Sequence, residues 1–127
     1  MEYYQGVLRA NAAWGSKTNG VPKWNIVGTP IKQFQDPDWS NKFHLWRMDW
    51  EETSIRLYVD EILLNTIDLT TTINGDPDCK NPFRQPHSLI LNMSIGGKHG
   101  GDPSETKFPA RFEVDYVRVY QKERPGN

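Results

Sequence analysis

The chain has 127 residues and a mass of 14.7 kDa, which is room for one domain, since single domains cluster near ~100–150 residues. Its 15 Lys and Arg against 16 Asp and Glu leave a net charge of -1, which gives no electrostatic argument for nucleic acid or an anionic membrane surface. The single cysteine, Cys79, excludes an internal disulfide framework and any multi-cysteine zinc or iron–sulfur site.

Residues 2–14 alternate loosely around Gly6, which predicts two short strands about a turn. Residues 15–42 hold Gly15, Gly20, Pro22, Gly28, Pro30 and Pro37. They read as a long loop region with at most a short strand near Trp24–Val27. Residues Phe43–Trp50 follow period two, with His44, Trp46, Met48 and Trp50 on one face. After a turn at 51–53, Ile55, Leu57 and Val59 alternate with polar neighbours and predict the second strand of a hairpin. Residues 61–69 read as a third strand or an irregular return. Residues 70–82, with Gly75, Pro77 and Pro82, read as loop. In Ser88–Ile95 the positions Leu89, Leu91, Met93 and Ile95 alternate with Ser88, Ile90, Asn92 and Ser94. That predicts a strand with an apolar core face and a polar, uncharged opposite face. Phe112–Tyr120 predicts a last strand. No heptad or long amphipathic helix is present, so the class is all-β, a sandwich rather than a closed barrel.

Four stretches in this order resemble glycoside hydrolase family 16, the laminarinase and lichenase group. They are Met1-Glu2-Tyr3-Tyr4-Gln5-Gly6, Phe43-His44 through Trp50, Pro82-Phe83-Arg84-Gln85-Pro86-His87-Ser88-Leu89-Ile90-Leu91-Asn92, and Phe108-Pro109 with Val114-Asp115-Tyr116-Val117-Arg118-Val119-Tyr120. The resemblance implies an antiparallel jelly-roll (concanavalin A-like) sandwich whose concave face holds a polysaccharide. The family signature is Glu-x-Asp-x-Glu or Glu-x-Asp-x-x-Glu, and Met1-Glu2 resembles its last two positions. The nucleophilic Glu and the intervening Asp then lie before residue 1. Residues 1–122 are thus expected to be the C-terminal part of the domain, with 123–127 a polar tail.

The resemblance casts Glu2 as the acid/base of a retaining pair, in which two carboxyl groups stand ~5–5.5 Å apart. The plain alternative is a frayed, solvated terminal residue. It implies cleft-facing roles for Asn11, Gln85 and Asn92; each reads equally as an amide that satisfies backbone groups. The sequon Asn92-Met93-Ser94 falls inside a predicted strand. Trp14 and Trp24 border loops and could stack on the apolar C–H face of a sugar ring. Trp46 reads as core packing, and His44 as a hydrogen-bonded structural residue. At His99 relatives often carry Trp. Asp115 resembles a contributor to a structural Ca²⁺ site, though calcium takes six to eight oxygens. Asp76-Pro77-Asp78 lacks calcium-loop spacing, and the glycines of 96–101 lack a phosphate-loop signature.

The resulting expectation is an endo-acting, retaining β-glucan hydrolase on β-1,3- or mixed β-1,3/1,4-glucan, with no catalytic cofactor and a polysaccharide as its partner. A non-catalytic carbohydrate-binding module is the alternative. The substrate class implies a secreted, periplasmic or cell-surface protein. Residues 1–6 carry no signal peptide, and no apolar run reaches the ~18–20 residues of a membrane span.

Overall fold

The structure is a computed structural model that describes residues 1–4, 6–15, 21–74, 80–97 and 101–123. It divides into two compact units, Met1–Leu89 and Ile90–Asn127. The tail at 124–127 lies outside the described residues.

The first unit holds all the assigned strands. They are β1 (Glu2–Tyr4), β2 (Val7–Arg9), β3 (Ala12–Trp14), β4 (Lys23–Asn25), β5 (Gly28–Pro30), β6 (Trp46–Trp50), β7 (Ser54–Val59) and β8 (Ile62–Asp68). Short 3-10 turns at Ile31–Phe34, Trp39–Asn41 and Pro82–Arg84 complete it. Every pairing is antiparallel. Among the described residues no helix is long and apolar enough to cross a membrane.

β2 and β3 pair with β5 and β4 in one unbroken register. Val7 faces Pro30, Arg9 faces Gly28, Ala12 faces Asn25 and Trp14 faces Lys23. Residues 7–14 and 23–30 are therefore the two arms of a single hairpin, with β1 added along its outer side. Only the middle of the ladder is altered. Ala10 N–H donates to Val27 O at 2.9 Å, but Val27 N–H donates to the Asn11 side chain Oδ1 at 3.3 Å. Ala10 O accepts instead from Asn65 Nδ2 at 2.6 Å.

β6, β7 and β8 form a meander in that spatial order. β7 alternates as its sequence predicts: Ile55, Leu57 and Val59 are buried, and Arg56 and Tyr58 are half-buried. The turn into β8 places Asp60 and Glu61 at φ 45 and 66, the positive values a two-residue type I′ turn needs and non-glycine residues resist. Both are held from residues 45–47, at the start of β6. Asp60 Oδ1 accepts Leu45 N–H at 2.9 Å, and Glu61 pairs with the Arg47 guanidinium.

The core lies where the two sheets meet. Leu8, Ala10 and Ala12 come from the long hairpin, Ile55, Leu57, Val59, Leu64 and Ile67 from the meander, and Trp39 and Leu69 from the connections. Each large aliphatic side chain removed from water contributes ~1.5–3 kcal/mol. Buried Asn65 crosses this interface, and its Nδ2 also donates to Asn25 Oδ1 at 2.8 Å.

Two sequence expectations fail here. Trp46, predicted to pack in the core, is 41% exposed, as is Trp50, and Met48 is 47% exposed. They do face the same way as Val59, Leu57 and Ile55, their cross-strand partners. However, β6 is an edge of its sheet, and the buried residues of this sheet come from β7 and β8. Alternation identifies which residues share a face, not how far the covering layer reaches.

The strands expected at Ser88–Ile95 and Phe112–Tyr120 are also absent among the described residues, and Leu89, Leu91, Met93 and Ile95 are exposed. A strand exists only where a neighbour takes its N–H and C=O groups, and neither segment has such a ladder. The second unit's described contacts are local, such as Ser104 N–H to Asp102 Oδ1 at 2.9 Å and the Arg118 guanidinium 4.5 Å from the Tyr116 ring centroid.

Candidate active site

The hairpin register sorts the candidate residues onto two faces, because opposed residues share a side and successive residues do not. Leu8, Ala10 and Ala12 are buried and define the inner face. Trp14, Lys23 and Asn25 belong to it by register. The outer face carries Arg9 and Gly28 as a pair, then Asn11 beside Ile26, then Ala13 opposite Trp24. Glu2 stands directly across from Arg9 on the other flank.

Glu2, Asn11 and Trp24 thus meet on one exposed surface. From Arg9 to Ala13 it runs about 13 Å, at ~3.3 Å per strand residue. Its floor is low because Gly28 and Ala13 present little or no side chain. A Cβ at Gly28 would sit 3.2 Å from Val7 Cγ1. Trp24 and Ile26, 56% and 59% exposed, form an apolar bank. At the other end the Glu2 carboxyl lies 3.9 Å from Arg9 Nε, with both side chains well exposed. An ion pair of this kind adds little stability, so the pair is free to engage a ligand. The trough offers a carboxyl, a guanidinium, an amide and an indole face, a set suited to hydroxyls and to the C–H face of a sugar. Among the ladder residues of this face Glu2 is the one carboxylate.

The other candidates lie elsewhere. Trp14 is on the inner face, where its Nε1 is buried without a hydrogen-bond partner, so the structure does not bring it together with Trp24. The Asn11 amide oxygen serves the backbone of Val27 while its side chain remains half-exposed. Gln85 caps the last 3-10 turn and is exposed, lining a small recess with Asn81, Arg84 and Ile73. Asn92 and Asp115 are exposed in the second unit. No group of three or more His, Cys, Asp or Glu converges among the described residues. Asp115 by itself supplies at most two of the six to eight oxygens calcium takes. His44 is held as a structural residue: its ring stacks on Trp39 at 3.7 Å, with Asp60 Oδ2 at 2.5 Å from Nδ1 and Trp39 O at 2.6 Å from Nε2. His99, Asp76 and Asp78 lie outside the described residues.

Sequence reasoning did not single out Ile26 as part of this surface. The signal was available in hairpin parity: once residue 9 faces residue 28, the outer face follows from counting by twos.

Comparison with known proteins gives a consistent picture. The family model for glycosyl hydrolases family 16 matches residues 17–118, a span that begins after Glu2 and Asn11. A beta-glucanase of Rhodothermus marinus is 38% identical over 84 residues, covering 62% of this chain and 29% of that protein. Glucan endo-1,3-beta-glucosidase A1 of Niallia circulans is 33% identical over 90 residues, covering 66% of this chain and 13% of that protein. A beta-1,3-glucan-binding protein of Penaeus monodon is 34% identical over 77 residues, covering 50% of this chain and 21% of that protein. The chain therefore spans less than a third of the length of each of these relatives. No solved structure shows a significant match. With all described strands antiparallel and most of its length matched, the chain belongs to the family 16 glycosyl hydrolases, a jelly-roll family.

Proposed function

We propose that this chain is part of an endo-acting β-glucan hydrolase that cleaves β-1,3- or mixed β-1,3/1,4-glucan with retention of anomeric configuration. The observation that carries the reading is the outer trough, where Glu2, Arg9, Asn11 and Trp24 share one open face. Family membership and the glucanase relatives support the substrate class. Retaining hydrolysis needs two carboxyl groups ~5–5.5 Å apart. Glu2 would protonate the leaving oxygen and then deprotonate the incoming water. The nucleophilic carboxylate would come from polypeptide outside this chain, since Glu2 is the one carboxylate among the described ladder residues of that face. Polysaccharides of this size are met outside the cytoplasm, so we place the working protein there.

The test is to read the in-frame coding sequence ahead of Met1 and to express the extended protein. The expected result is Glu-x-Asp or Glu-x-Asp-x before Met1, laminarin hydrolysis by the extended protein, and loss of that activity in Glu2→Gln. The 127-residue chain alone should release no sugar. Full hydrolysis by the Glu2→Gln protein would overturn the assignment. A second reading, a glycan-binding module, is favoured by the glucan-binding relative and by the lone carboxylate. Affinity for laminarin without turnover in the extended protein would select it.

A further inference from the structure

A second recess lies on the other side of the long hairpin from Glu2. β1 alternates, so Tyr3 points away from the Glu2 face, and its ring meets Trp39 at 6.4 Å. Trp39 is the back wall of a cavity of about 600 Å³ that is also lined by Gln35, Asp36, Lys42, Phe43 and Asp60. Small-molecule sites commonly enclose ~300–1,000 Å³.

Three features make this more than a surface hollow. First, strained backbone collects here. Among the described residues the non-glycine positions at positive φ are Gln35, Asp60 and Glu61, and two of the three line this recess. Asp60 has a structural reason, its grip on Leu45 N–H and His44. Gln35 is the left-handed cap of the first 3-10 turn, where its backbone N–H donates to Lys32 O at 3.2 Å. Its φ of 54 suits glycine, and among the described residues its side-chain amide makes no hydrogen bond. Its side chain is exposed and lines the recess. Second, the charges are internally matched. Lys42 Nζ donates to Asp36 Oδ2 at 2.7 Å, and that bond is the main cause holding the Asp36 carboxyl below the usual carboxylate range. The His44 ring is engaged with Asp60. A charged ligand would find no unpaired countercharge among these groups. Third, Phe43 is 69% exposed and Ile62 48%, so an apolar patch borders the amide and carboxylate groups. The Gln33 and Gln35 amides beside this open aromatic ring suit a ligand that is rich in hydroxyls and apolar on one face.

We propose that this recess is a second carbohydrate-binding site, which takes a sugar unit of a neutral glycan on the side of the hairpin opposite Glu2. It does not depend on Glu2 being catalytic.

The test is a ¹H–¹⁵N titration of the whole 127-residue chain with β-1,3- and β-1,4-linked glucose tetrasaccharides. The Trp39 indole and the Gln35 and Phe43 amides report the recess. The Trp24 indole and Asn11 report the outer trough. The expected result is saturable movement of the recess signals with at least one sugar. Phe43→Ala removes an exposed ring and leaves the core intact. It should weaken the recess response at least fivefold and leave any trough response unchanged. Gln35→Gly suits the positive φ, so its thermal midpoint should hold or rise while recess affinity falls; a merely structural role for Gln35 would leave affinity unmoved. Recess signals that stay still with both sugars, or that respond equally in Phe43→Ala, would overturn the proposal. Movement in the recess alone would support it while counting against the Glu2 face, so the two readings fail separately.

Discussion

The asparagine exchange in the long hairpin makes a quantitative prediction. Ala10 and Val27 are ladder partners, and Ala10 N–H donates to Val27 O at 2.9 Å. A regular antiparallel pair would return a bond from Val27 N–H to Ala10 O. Here Asn65 occupies Ala10 O at 2.6 Å, and Asn11 takes up Val27 N–H. Asn11→Ala strands a donor. Asn65→Leu strands an acceptor on a residue that is 1% exposed. Each stranded group costs about 1–3 kcal/mol. In the double variant the two stranded groups face each other and can restore the ladder bond. Its loss should therefore fall short of the sum of the single losses by about 2–6 kcal/mol, the two stranding costs together. The bond from Asn65 to Asn25 is lost in both Asn65 variants and does not enter the difference. Urea unfolding of the four proteins, with m unchanged, reads this directly, and each kcal/mol should move the thermal midpoint by roughly 3–4 °C at this size. Additivity within about 0.5 kcal/mol would refute the exchange.

The turn between β7 and β8 predicts opposite signs for the same change at adjacent residues. Glu61→Gly relieves positive-φ strain and gives up an exposed ion pair worth ~0–1 kcal/mol, so it should be neutral or stabilising by up to about 1 kcal/mol. Asp60→Gly relieves similar strain but loses the Leu45 and His44 contacts, so it should destabilise by about 1–2 kcal/mol; equal thermal shifts for the pair would contradict this. Asp68 is held below the usual carboxylate range first by the Thr70 hydroxyl and then by the Thr70 N–H. In Thr70→Val the carboxyl titration, followed by ¹³C NMR, should move part of the way back towards the ordinary value. A depressed carboxylate stabilises the fold above its unfolded pKa of ~3.9. The stability gap between wild type and Thr70→Val should thus be present above about pH 4 and close as pH falls through the native value. A gap that widens with acid would reverse the assignment.

Much of the first unit was legible because its strands lie close in sequence. Ile55, Leu57 and Val59 declared β7 by alternation, and the turns on either side followed from composition. The register of 7–14 against 23–30 was hidden because Pro22, Gly28 and Pro30 read as loop signals, whereas the paired arms accommodate Gly28 and Pro30 at β5. The exposure of Trp46 and Trp50 was not legible, since period two says nothing about the extent of the covering layer. The segments at 88–95 and 112–120 have strand-like patterns and no ladder, because pairing belongs to two segments and a pattern to one. Glu2, Asn11 and Trp24 share a face that parity could have revealed. The separation of Trp14 from Trp24 needed the register itself.

The polar ties between the two sheets also bear on the order of assembly. Each sheet joins segments that are near neighbours along the chain, so each closes with short loops and little entropic delay. The joining of the sheets leans on distant side-chain bonds, Asn65 to Ala10 and Asn25 across 55 and 40 positions and Gly15 N–H to Asn74 Oδ1 across 59. Such bonds form only after both hairpins exist. Replacing Asn65 should then accelerate escape from the native state far more than it slows arrival, a steeper change in the unfolding limb of a chevron than in the folding limb. On that account a buried amide acts as the bolt of the first unit, setting its lifetime and leaving its speed of formation to the turns.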